Sequence, residues 1–157
     1  GCKYGTDINV TKRIPIGGGL GGGSSNAATS LIALNRLWSL HLPLEQLTDL
    51  GLLLGADIPV FLYGHSAWAE GIGEILTSFE PEKLWYLVIN PGCHVPTAEI
   101  FNARELTRNT PAITIRDFLV SGGHNDCETV VRERFPLVST ALDWLLAYGD
   151  ARLTGSG

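Results

Sequence analysis

The chain has 157 residues, a net charge of −5 and an apolar content of 45%. That suits one ordinary domain or two small ones with a real core, and the mild acidity without a Lys/Arg run excludes nucleic acid as the main partner. No apolar run is long enough to span a membrane and no signal peptide is visible; the cysteines (Cys2, Cys93, Cys127) are odd in number and scattered, which argues against a disulfide framework or zinc site and fits a reducing, cytoplasmic setting.

Ile8 to Ile14 alternates apolar residues with Asn9, Thr11 and Arg13, and reads as a strand. Lys12 falls on its apolar side. It is either a solvated edge residue or a contact for whatever the next segment holds. That segment is Pro15-Ile16-Gly17-Gly18-Gly19-Leu20-Gly21-Gly22-Gly23-Ser24-Ser25. Its glycines let the backbone turn through positive φ and approach another group closely. A helical pattern follows from Ser24 to Leu40. Unpaired N–H groups at a helix start, with the positive end of the dipole behind them, attract an anion. The glycine run therefore reads as a phosphate-binding loop. Ser24 and Ser25 could cap the helix or bond phosphate oxygens or a metal ion's shell.

Pro43 opens a second helix through Leu54, and Gly55 ends it. Asp57 follows as one acid among apolar neighbours, either a cap for a short helical turn or a carboxylate acting as general base toward a hydroxyl. His65 to Thr77 reads as a hairpin turned at Gly71-Ile72-Gly73, with Glu70 either an exposed strand acid or a catalytic one. The chain changes character at Pro81-Glu82-Lys83, the best boundary between two lobes. Leu84 to Ile89 is nearly all apolar and reads as a buried strand. Pro96-Thr97 precedes a helical turn, with Thr97 as a cap or a ligand contact. Thr114 and Asp117 have capping-box spacing for a helix to Val120. Further helices are expected from Asn125 to Phe135 and from Val138 to Tyr148.

The loop fails the known phosphate grips in turn. A Walker-type loop needs a lysine, and Gly17 to Ser25 contains none. The dinucleotide fingerprint is met in letters by Gly17, Gly19 and Gly22, but the acid it expects about twenty residues on would fall in a leucine-patterned helix. The protein-kinase form wants a valine where Ser24 stands.

What remains, P-x-x-x-G-L-G-G-G-S-S-N-A-A, resembles the P-x-x-x-G-L-G-S-S-A loop of the GHMP kinases. These are the small-molecule kinases named for galactokinase, homoserine kinase, mevalonate kinase and phosphomevalonate kinase. Gly55-Ala56-Asp57-Ile58-Pro59-Val60-Phe61, Ala69-Glu70-Gly71-Ile72-Gly73-Glu74 and Asn125-Asp126-Cys127-Glu128 resemble the G-A-D-[IV]-P-[VF]-F, A-x-G-x-G-E and N-D-x-E segments of one branch. That branch phosphorylates a cytidine diphosphate ester of methylerythritol in the non-mevalonate route to isoprenoid precursors.

The resemblance implies an α/β chain of α+β type in two lobes, both incomplete. Residues 1–80 would be part of an ATP-binding lobe like ribosomal protein S5 domain 2, and residues 84–157 part of a ferredoxin-like lobe. It implies that Pro15, Ile16, Gly17, Gly18, Gly19, Leu20, Gly21, Gly22, Gly23, Ser24 and Ser25 hold ATP, with Mg2+ bridging the phosphates and no metal ligand from the chain. Lys12 would lie beside the adenosine part, Asp57 would be catalytic, and Thr97 would line the substrate end. The partner is a small molecule, and neither nucleic acid nor membrane is expected; the oligomeric state is open. The family's K-[IL]-N strand is absent, and its glycine-rich third motif begins only at Leu153-Thr154-Gly155-Ser156-Gly157. With no methionine in the sequence, a piece of a longer chain, poorly active alone, is expected. Two other readings stay open: a GHMP kinase of homoserine or mevalonate type, and a non-catalytic nucleotide-binding module.

Overall fold

The computed structural model describes residues 3–156, so the Cys2 thiol and Gly157 of the third motif lie outside the described residues. The chain divides into two compact units. One contains the chain up to Lys12 and Gly21–Leu84; the other contains Arg13–Leu20 and the chain from Trp85 on. The glycine run is thus shared between them.

In the first unit, helix α1 (Gly22–Leu37), helix α2 (Leu44–Leu54) and the short helix α3 (Ile58–Tyr63) enclose a core of Ala28, Leu47, Ile58 and Leu62. Their apolar residues recur at helical spacing, so each helix buries one stripe against the others. Each aliphatic side chain taken fully out of water contributes roughly 1.5–3 kcal/mol. The α1–α2 connection is fixed by Asn35, whose side chain donates to the Leu42 carbonyl (3.1 Å) and accepts from the Leu42 N–H (2.9 Å). The hairpin follows as antiparallel strands β1 (Ala67–Glu70) and β2 (Ile75–Ser78), with Ala67 opposite Ser78 and Glu70 opposite Ile75. Its turn is held by the Glu74 carboxylate, which accepts from the Ile72 N–H at 2.7 Å.

In the second unit, α4 (Thr97–Phe101), α5 (Ile115–Ser121), α6 (Cys127–Arg134) and α7 (Pro136–Leu146) are the regular elements. Val95, Ile100, Ala103, Leu106, Cys127, Val130, Val131, Val138 and Leu142 form its core. Arg108 closes the end of α4: its guanidinium donates to the carbonyls of Phe101 (2.6 Å), Ala103 (3.0 Å) and Leu106 (3.0 Å). Those carbonyls lie at and beyond the helix end, where no further helical N–H reaches them. Thr114 caps α5 with the expected box, its hydroxyl accepting from the Asp117 N–H and the Asp117 carboxylate accepting from the Thr114 N–H.

The mixed helix and small-sheet composition agrees with the α+β expectation, but two of the expected strands do not form. Residues 8–14 form no ladder, and Ile8, Val10 and Ile14 are exposed. Residues 84–89 are likewise unpaired, and Trp85 is wholly exposed rather than buried. A strand is completed by the backbone groups of a neighbour, and among the described residues no segment ladders with either run. Helix α1 begins two residues before Ser24, and Pro43 is the cap of α2 rather than its first residue.

Candidate active site

The glycine run is built by alternation of backbone hand. Gly17, Gly19 and Gly21 all have positive φ, at 73°, 62° and 64°. Side-chain-bearing residues enter that region only at a cost, so this path requires glycine at these positions. Gly21 is the N-cap of α1 and offers no side chain; the Ser25 N–H reaches back to its carbonyl at 2.8 Å. The capping reading of Ser24 and Ser25 is therefore corrected. Both lie inside the first turn, and neither hydroxyl caps the helix. They are half-buried beside the free N–H groups of a 16-residue helix, at the positive end of its dipole.

Asp57 belongs to the same unit. It takes the N-cap position of α3, yet its side chain makes no capping hydrogen bond. One reason lies in the sequence: Pro59, at the second position of the helix, has no N–H to offer. The carboxylate is exposed and enters no ion pair among the described residues. Phe61 lies four residues on, one turn along the same face. Its ring meets Gly21, where an added Cβ would stand 2.8 Å from the ring edge. Phe61 thus couples the element bearing Asp57 to the head of α1. On the other flank, the hairpin turn presses on the peptide before Asp57. Gly73 (φ 113°) lies so close that an added Cβ would be 2.3 Å from the Ala56 carbonyl oxygen.

The first half of the run, Pro15–Leu20, belongs to the second unit. There the Gly17 backbone lies under the His94 imidazole, Gly18 lies beside Asn90, and the Thr154 hydroxyl donates to the Gly19 carbonyl at 2.8 Å. Gly155 approaches Gly19 so closely that a Cβ on Gly155 would be 2.9 Å from the Gly19 Cα. Thr97 is the first residue of α4, not its cap, which is Pro96. Its hydroxyl instead shares a hydrogen bond of 2.8 Å with the Ser156 hydroxyl. The residues 154–156 thus touch both the glycine run and Thr97. The sequence carried no signal for His94, a lone histidine in a loop.

Of the other expected site residues, Lys12 is exposed and forms no ion pair among the described residues. Glu70 is an exposed acid on β1, as its strand position implied. Cys93 and Cys127 are free thiols. Burial pushes the Cys127 thiol up, helped by the neighbouring Asp126 carboxylate, so it remains neutral at ordinary pH. No group of three or more His, Cys, Asp or Glu side chains that could hold a metal ion occurs among the described residues.

A glycine-rich helix start and a carboxylate that caps nothing thus fall in one unit, and comparison gives the class. The profile of the GHMP kinases N terminal domain matches residues 1–65. Over these residues the chain resembles the GHMP kinase family. Among solved structures it is similar to a 4-(cytidine 5'-diphospho)-2C-methyl-D-erythritol kinase, at 32% sequence identity and a TM-score of 0.65. That match covers 93% of this chain and 57% of the other, so the chain spans a little over half the length of this relative.

Proposed function

We propose that the protein carrying this chain is an ATP-dependent kinase that phosphorylates the 2-hydroxyl of 4-diphosphocytidyl-2-C-methyl-D-erythritol, in the cytoplasm, within the non-mevalonate route to isoprenoid precursors. The observation that carries the reading is Asp57, an acid at a helix start that caps nothing, on the element whose Phe61 meets the head of α1. The similarity to a solved kinase of that substrate supports the choice of acceptor.

In this reading, Pro15 to Ser25 wrap the triphosphate. The N–H groups of the first turn of α1 stabilise the charge of the transferring phosphoryl group, which is the main requirement of this chemistry. The Ser24 and Ser25 hydroxyls are free to bond phosphate oxygens. They also suit a hard cation that prefers oxygen ligands, so a Mg2+ entering with the nucleotide would find them beside the phosphates. Mg2+ supplies charge neutralisation on the phosphates when bound. Asp57 accepts the proton of the attacking hydroxyl, or orients it, as the oxygen closes on phosphorus. Lys12 lies beside the adenosine part and Thr97 at the acceptor end.

Substrate competition tests the assignment. The full-length protein carrying this chain is assayed for ATP-dependent phosphorylation of 4-diphosphocytidyl-2-C-methyl-D-erythritol, homoserine and mevalonate. Turnover of the cytidine diphosphate ester alone is expected. Preference for either smaller acceptor contradicts the assignment within the family, and ATP binding without transfer to any acceptor contradicts the enzymatic reading.

A further inference from the structure

Residues 153–156 are gripped by two side chains at the start of α6. The Asn125 amide donates to the Leu153 carbonyl (3.0 Å) and to the Gly155 carbonyl (2.8 Å). Its own oxygen accepts from the Cys127 N–H at 3.0 Å, which fixes the amide's orientation on the helix. The Glu128 carboxylate accepts from the Leu153 N–H at 3.1 Å. Two side chains therefore satisfy three backbone groups of one short segment. That segment then passes the constraint on: Thr154 donates to the Gly19 carbonyl, Gly155 packs on the Gly19 backbone, and Ser156 bonds Thr97. All of these residues lie in the second unit.

We propose that Asn125 and Glu128 are positioning residues for the glycine run. They hold residues 153–155 in the one register that sets the Gly19 carbonyl and the Thr97 hydroxyl. The proposal rests on the kinase reading for its link to ATP, but its structural half does not. The chemistry of an amide makes the arrangement specific. Asn125 uses both of its N–H donors on carbonyls and its one oxygen on an N–H, so each polar atom of the side chain has a partner. An aspartate of the same shape keeps the bond from Cys127 but turns a charged acceptor toward two carbonyl oxygens. Glutamine at 128 keeps an acceptor for Leu153, whereas alanine does not. A glycine run with positive φ at every second residue from Gly17 to Gly21 has little rigidity of its own. Its geometry has to be imposed by neighbours, and residues 154–155 provide such neighbours.

The test uses the full-length protein with Asn125→Asp, Glu128→Ala, Glu128→Gln, and Thr110→Ala as a control. Thr110 bonds Asp126 at the same helix start (2.7 Å) without touching residues 153–156. Kinetics give KM for ATP and for the acceptor, and backbone amide exchange is read across Gly17 to Gly21. Asn125→Asp and Glu128→Ala are expected to raise KM for ATP by about tenfold or more, the ratio expected from a hydrogen-bond network of this kind. Loop amide exchange should quicken in both. Glu128→Gln and Thr110→Ala should stay within about twofold of wild type on both measures. Wild-type KM and wild-type loop exchange in Asn125→Asp overturn the proposal, and so does an equal loss in the Thr110 control. If Asn125→Asp fails to fold, Thr154→Val, which removes only the donor to Gly19, decides on the same two readouts. If the wild-type protein transfers no phosphate while the loop amides still respond, the kinase reading fails and the positioning role stands.

Discussion

The close approach of the hairpin turn to the peptide before Asp57 is the contact whose alteration should reach furthest. In Gly73→Ala, the added Cβ would stand 2.3 Å from the Ala56 carbonyl oxygen, against backbone that cannot rotate away. Ordinary van der Waals contact requires the two to part by roughly 1 Å. A second cost comes from the backbone: alanine at a φ of 113° is strained by about 1–2 kcal/mol. Gly64→Ala separates the two effects, because Gly64 also has a positive φ (75°) but nothing lies within 4 Å of its added Cβ. The expected loss of stability by urea unfolding is about 1 kcal/mol for Gly64→Ala and about 2–4 kcal/mol for Gly73→Ala. Because the displaced peptide leads directly into Asp57, Gly73→Ala should also reduce phosphoryl transfer by about tenfold or more, and Gly64→Ala should not. Equal stabilities of the two variants, or full transfer by Gly73→Ala, would mean that the hairpin turn does not hold the Ala56 peptide in place.

Ile100 is fully buried in the second unit's core, so Ile100→Ala should cost about 2–5 kcal/mol in urea unfolding, and a loss under 1 kcal/mol would mean that core is not close-packed. The Thr114 hydroxyl, followed by the Thr114 N–H, holds the Asp117 carboxyl below its ordinary value of 3.8. Because the folded-state value is depressed, this contribution is present above pH 3.8 and is lost as pH falls below it through the folded-state value. The helix signal of α5 should fray over that acidic window in wild type but show no such step in Asp117→Asn. Iodoacetamide at mildly alkaline pH should label half-buried Cys93 before Cys127, whose thiol is both buried and pushed up; equally rapid labelling of Cys127 would contradict the burial argument.

Much of the architecture was legible because it is local. The Thr114–Asp117 box, the hairpin around Gly71–Gly73 and the leucine pattern of α2 each follow from residues within one or two turns of each other. The errors arose where the deciding partner is distant. Residues 8–14 and 84–89 have strand-like patterns, but a ladder depends on a neighbour that no local pattern can supply. Helix α1 starts early because Gly21, in a left-handed conformation, ends the loop before the serines are reached. For Asp57, its letters allowed both a cap and a base; the missing side-chain bond, with proline at the second helical position, removes the cap. The contacts of Asn125 and Glu128 were not legible, since their partners lie 25 to 30 residues away. The N-D-x-E letters marked the place without giving the reason.

The proposed kinase activity depends most directly on Asp57 as the base for the acceptor hydroxyl. Its direct test is Asp57→Asn in the full-length protein, with ATP affinity measured by calorimetry and phosphoryl transfer measured on the same sample. Asparagine matches the carboxylate in shape but cannot take the proton. The account predicts transfer reduced by about 10²–10⁴-fold, with ATP affinity within about threefold of wild type. Transfer within about threefold of wild type would contradict it and reduce Asp57 to a helix-start residue without a chemical role.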